Sequence, residues 1–124
     1  MEIMEENDEI ILDLERQLIA TIIEKKDVKL FEELYKGKIE VSKKIRAIIN
    51  SIVFYYKKNK NIPTFEQLYT MLITQFKDSP EIIENMGNEM LACEIVGPTK
   101  NYLTVVDLIT NLKIKRKKGE LYAG

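Results

Sequence analysis

Apolar residues recur in steps of three and four between Val41 and Tyr55: Val41, Ile45, Ile48, Ile52 and Tyr55. That spacing is one face of an α-helix. Ile49 and Val53 add a second line beside the first. A helix apolar over so much of its girth has to be covered on two sides. The segment therefore reads as the central helix of a small all-α domain. Ser42 stands where its N-cap belongs, and Asn59, Lys60 and Asn61 stop it.

The same periodicity and its punctuation predict the other elements. A first helix over 9–25 carries Leu14, Leu18 and Ile22 on one stripe and Ile11, Ile19 and Ile23 on the next. Asp8 and Glu9 suit the positive end of its macrodipole, and Lys25 and Lys26 the negative end. Asp27 can cap a short helix over 28–35 that ends at Gly37. Residues 38–41 are a connector. Pro63 holds the chain extended ahead of Thr64, and Thr64 with Gln67 has capping-box spacing. The helix that follows, 65–77, has Phe65, Leu68, Leu72 and Phe76 in register. Ser79 and Pro80 form an N-cap and N1 pair opening a helix over 80–95. Gly97 and Pro98 break the chain, and Thr99 starts a last helix, 100–118, with Tyr102, Val106, Ile109 and Leu112 on one side. Strand-like alternation is absent. The fold class is all-α, a compact bundle of five to six helices. It divides into a flexible acidic N-terminus (1–8), a globular helical domain (9–97) and an extending helix with the start of a linker (98–124).

Composition narrows the class. A chain of 124 residues with 45% hydrophobic and 31% charged residues suits one folded domain. Its net charge of −1 gives no global drive toward nucleic acid or membrane. The charge is unevenly placed. Glu2 to Glu15 holds seven acids and no base, Lys36 to Lys60 eight bases and one acid, and Lys113 to Lys118 five bases and no acid. Such blocks read first as solvated helix faces and second as surfaces for phosphates or acidic partners. Cys93 is the single cysteine, which excludes an internal disulfide and suits a reducing, cytoplasmic compartment. The acidic start lacks the pattern of a signal peptide, and no apolar run approaches the roughly 20 residues of a membrane span.

The residues for chemistry are missing. There is no histidine, the commonest general base and metal ligand. Cys93, on an apolar helix face between Leu91 and Ile95, reads as a small core residue. The pairs Glu5/Glu6, Asp8/Glu9 and Glu32/Glu33 are sequence neighbours, which point different ways on a helix. No phosphate-cradling glycine loop is present. No catalytic, cofactor-binding or metal-binding residue is therefore assigned. In the cluster Tyr55, Tyr56, Lys57 and Lys58, Tyr55 is expected to pack inward while the lysines face water; stacking of bases is the competing reading. The narrow apolar stripe of the last helix seeks another helix, in this chain or a second one. Val105, Val106, Ile109 and Leu112 are the candidate subunit or partner contacts, whereas Tyr102 reads as packing within the monomer. Lys43, Lys44, Lys57, Lys58, Lys115 and Arg116 are the candidate basic contact surface.

Four segments in order resemble the N-terminal domain of DnaB-type replicative helicases, especially phage members. They are Leu14–Ala20 (LERQLIA), Ile45–Ile49 followed by Tyr55-Tyr56, Asn61–Thr64 running on to Leu68 and Leu72, and Asn101–Leu103 with the basic Lys115–Lys117. The likeness spans Leu14 to Lys118. Ile39 and Val41 stand in place of the family's aromatic pair, and Thr64 in place of its aspartate after proline. The resemblance implies a collar domain whose last helix opens a helical hairpin, supporting ring assembly and receiving primase or a helicase loader. ATP and Mg²⁺ would belong only to a separate motor domain, so this chain alone is expected to be no enzyme. Its implied partners are copies of itself and primase or a loader, with DNA contact weak and no membrane. A free-standing helicase loader, inhibitor or primase-type helicase-binding domain, and a small helical DNA-binding module, are the alternatives.

Overall fold

The computed structural model describes the backbone of residues 2–123 and the side chains of residues 8–117. Six helices follow in order: α1 (Glu2–Lys25), α2 (Val28–Tyr35), α3 (Lys43–Asn59), α4 (Phe65–Gln75), α5 (Pro80–Val96) and α6 (Tyr102–Ala123). There is no strand among the described residues, in agreement with the all-α expectation.

The central helix is α1, not α3. Every residue from Leu18 to Ile23 is buried, and α2, α3, α5 and α6 all pack against α1. Six consecutive buried residues cover more than a full helical turn, so this stretch has no free side. In α3 only Ile45, Ile48, Ile49 and Ile52 are buried, which is one face. The apolar girth read from the sequence overstated α3, because Val53 and Tyr55 are only half-buried and Phe54 points outward. Each fully buried Leu or Ile contributes roughly 1.5–3 kcal/mol relative to exposure, so the continuous run in α1 is the densest source of stability in the domain.

Caps fix the helix starts. Asp27 accepts from the Leu30 N–H at 3.0 Å, as its position predicts. Thr64 and Gln67 form both halves of the expected capping box, at 3.1 and 2.9 Å. Ser42 and Ser79 occupy the expected N-cap positions, but neither makes a side-chain cap bond. At α3 the Ser42 N–H donates instead to Glu15 Oε2 of α1 at 2.9 Å. Helix α6 starts two residues later than the sequence suggests, because Asn101, rather than Thr99, accepts from the Leu103 N–H. Its C-terminal end runs to Ala123, through the stretch read as the start of a linker. Likewise α1 begins at Glu2 rather than at residue 9, taking in most of the stretch read as flexible. The side chains of Glu2, Glu5, Glu6 and Lys118 lie outside the described residues.

Contacts at both ends run α6 antiparallel to α1. Near one end, Thr99 N–H donates to Thr21 Oγ1 at 3.0 Å and Lys25 Nζ donates to the Thr99 carbonyl at 2.6 Å. Near the other, Arg116 pairs with Asp8. Between α1 and α5 lies the one bidentate ion pair among the described residues: Arg16 Nε and Nη2 bond Glu89 Oε2 and Oε1 at 2.5 and 2.9 Å. Asp13 takes a third donor of the same guanidinium at 2.6 Å. Glu89 is buried and has no other partner among the described residues, so Arg16 carries its compensation.

Arg16→Met leaves that buried carboxylate alone. A loss of about 3 kcal/mol is expected in urea unfolding. The double substitution R16M/E89M should recover most of it. A double variant as unstable as the single one would show that the pair is not what orders this contact.

Candidate interaction surfaces

The four residues read as facing another subunit are used inside this chain. Val105 and Ile109 are buried in the core, and Val106 and Leu112 pack against it, with α1 as the covering helix. Tyr102 joins them, as expected for packing within the monomer. Among the described residues, the large apolar side chains that α6 leaves outside are Leu103, Leu108 and Ile114. Periodicity fixed the stripe; it held no information on which helix would cover it.

The six candidate basic residues do not form one patch. Lys43 and Lys44 sit at the start of α3, beside Ala47 and close to Asn85 and Asn88 of α5. Lys57 and Lys58 sit at its other end, roughly 20 Å along the axis at 1.5 Å per residue. Lys57 Nζ lies 5.9 Å from the centre of the Tyr35 ring. Lys115 is exposed on α6, and Arg116 is engaged by Asp8. Arg46, between the two lysine pairs, is spent on structure: its Nη1 donates to the Leu34 carbonyl at 2.7 Å.

The aromatic cluster is arranged differently from the expectation. Tyr56 packs on the core, with its ring centre 5.2 Å from that of Phe31. Tyr55 instead lines an open groove between α3 and α4, together with Phe54 and Lys58 of α3 and Gln67, Thr70 and Met71 of α4. The groove is about 820 Å³. Phe54 is 54% exposed, a large aromatic left in solvent. The inward stripe of α3 does not include it, so it is not among the residues read from the sequence as contacts. The available signal was position: Phe54 follows buried Ile52 by two residues, about 200° around the helix.

The same geometry separates Cys93 from its flanks. Cys93 is fully buried, as expected of a core residue, and burial pushes its thiol up to about 12. A thiol held protonated is a poor nucleophile. Leu91 and Ile95, two residues to either side, lie on the opposite face at 47% and 75% exposure, so they do not share an apolar face with it. Across the α4–α5 hairpin, Tyr69 donates to Glu94 at 3.3 Å. Ile73, one turn beyond Tyr69, is 56% exposed.

One buried polar atom has no hydrogen-bond partner among the described residues, Oε1 of Glu15. Its carboxyl lines a cavity of about 360 Å³ with Asp8, Glu40, Lys113 and Arg116. Desolvation raises its pKa above the usual glutamate value; the Ser42 N–H and the Lys113 charge pull the other way, and Glu89 adds to the rise. No group of three or more acidic, cysteine or histidine side chains among the described residues is placed to hold a metal ion. No helix among them is long and apolar enough to cross a membrane.

The raised Glu15 pKa has a definite sign in stability. The folded chain holds this proton more tightly than the unfolded one. The resulting stabilisation is complete below the unfolded value and is lost as pH rises through the folded value. Glu15→Gln keeps an acceptor for Ser42 and removes the charge. The variant should gain on the parent as pH rises from acid to neutral, by urea unfolding across that range. A difference that is flat with pH, or that favours the parent at neutral pH, would contradict the assignment.

No protein-family model, curated protein or solved structure matches this chain.

Proposed function

We propose that this chain is a protein-docking domain of the kind that forms the N-terminal collar of DnaB-type replicative helicases. In this reading it holds copies of itself together and offers a surface to primase or a helicase loader, while ATP hydrolysis belongs to a separate motor domain. The observation that carries the reading is α6. Its 22 residues make a rod of roughly 33 Å. One side is anchored on α1, and Leu103, Leu108 and Ile114 stay exposed on its flanks. An anchored helix with apolar residues left over is suited to receive another helix. The order of helices supports the same reading: the four segments of resemblance fall on α1, α3, the α3–α4 turn with α4, and α6.

The chemistry points the same way. Of the titratable groups with unusual surroundings, Glu15 and Arg16 are engaged in the packing of α1, Cys93 is buried in the core, and Tyr69 is bonded to Glu94 between α4 and α5. The large exposed apolar residues lie on open helix faces.

Sedimentation velocity over a wide range of protein concentration should show association that grows with concentration. Primase or loader from the same replication system should co-sediment with the protein. A monomer at every concentration that also ignores both partners would overturn the proposal.

A further inference from the structure

One hydrogen bond ties the connector between α2 and α3 to α6. Lys113 Nζ donates to the Glu40 carbonyl, and among the described residues no other hydrogen bond reaches residues 39–41. Ile39 and Val41 pack partly against the core and hold the rest of the segment. Glu40 itself is exposed, so water can take the place of Lys113 at its carbonyl.

Lys113 stands between two spaces. On one side it lines the groove that Lys38, Ile39 and Glu40 form with α6. On the other it lines the cavity that holds Glu15. Glu15 is 0% exposed. Its Oε2 takes the Ser42 N–H, while Oε1 is shut off from solvent with no partner among the described residues. The charged groups around this carboxyl are Asp8 of its own helix, Glu40 of the connector, Lys113, Arg116 and Lys117 of α6, and Glu89 of α5. Arg116 is engaged by Asp8, and Glu89 by Arg16. Lys117 is exposed, whereas Lys113 is half-buried. Lys113 is therefore the cation best placed to serve Oε1.

We propose that Glu15 and Lys113 form a proton-operated latch on the connector. With Glu15 neutral, Lys113 holds the Glu40 carbonyl. When Glu15 ionises, Lys113 turns into the cavity, bonds Oε1 and lets Glu40 go. The exchange is unequal, and that gives it direction. A buried carboxylate with one oxygen bare is costly, because water does not reach it. An exposed carbonyl loses little by returning to water. Drawing the ammonium inward costs solvation, which only an ionised carboxylate offsets. The proton on Glu15 thus decides where Lys113 lies and whether the connector is tied to α6. Burial raises the pKa of Glu15, which moves the exchange upward from the ordinary carboxylate range. The latch lies within one chain and does not depend on the collar reading.

A nuclear magnetic resonance titration tests it. The E40Q variant is the starting point, because it removes the connector's own carboxyl and keeps its backbone carbonyl. Circular dichroism establishes that each variant is folded. The Glu15 carboxyl carbon reports the proton. The Val41 amide nitrogen reports the bond to the carbonyl at position 40, which belongs to the same peptide group. In E40Q the two signals should change together, with one midpoint. Adding Glu15→Gln should remove the Val41 step. Adding Lys113→Met should remove it as well, and Glu15 should then hold its proton roughly tenfold more tightly. A Val41 amide that does not follow Glu15 would overturn the latch. So would a Val41 step that survives either second substitution, or a Glu15 midpoint that K113M leaves in place.

Discussion

The fold depends on a stretch of α1 that has no free side. Residues Leu18 to Ile23 are enclosed by neighbouring helices, and removing any one neighbour would expose apolar surface from that run. Burial alone is non-directional and would tolerate several rotations of those neighbours. The polar contacts along α1 remove that freedom. Glu15 holds the start of α3, Arg16 holds Glu89 of α5, Thr21 holds the Thr99 N–H ahead of α6, and Lys26 holds the Ile62 and Pro63 carbonyls before α4. Each bond joins a side chain of α1, or of the residue just past its end, to a different element. α1 therefore supplies both the apolar surface and the register marks.

The two buried acids that meet this inner layer, Glu15 of α1 and Glu89 of α5, are satisfied in different ways. Glu89 receives a guanidinium that matches both of its oxygens, which offsets the loss of water. Glu15 receives one N–H, and its other oxygen has no partner among the described residues. Burial then favours the neutral carboxyl, and the rise in its pKa follows from that imbalance. The bond from Ser42 N–H to Glu15 is the reciprocal half of a capping box, supplied by another helix in place of the third residue of α3. It accounts for a serine at an N-cap position that makes no side-chain cap.

The sequence was legible wherever the information was local. Asp27 and the Thr64–Gln67 box act between residues three apart, and both are present as read. The stripe Ile45, Ile48, Ile49 and Ile52 follows from periodicity and is buried. Errors arose where a third body decides. Val105 and Ile109 need a covering helix, and periodicity cannot say whether it comes from the same chain; here α1 provides it. Tyr55 and Tyr56 are adjacent and equally aromatic, and the position of Phe31 chooses Tyr56. Glu15 looks like one more acid in an acidic stretch until α3 ends on it. The candidate surfaces were the least legible part. They consist of apolar residues that packing leaves out, and they show only once the packing is known.

Those leftovers have a pattern. Phe54 and Leu91 each stand two residues from a fully buried Ile52 or Cys93 on the same helix, so the same turn that fills the core directs a large apolar side chain away from it. Exposed apolar residues contribute little to folding and raise the risk of aggregation. On α3 and α5 they are accompanied by charge of a single sign, positive on one and negative on the other. A domain built only to be stable has no need to segregate its charge in this way. Segregated charge around exposed apolar residues fits a chain whose work is done at its surface, against other macromolecules.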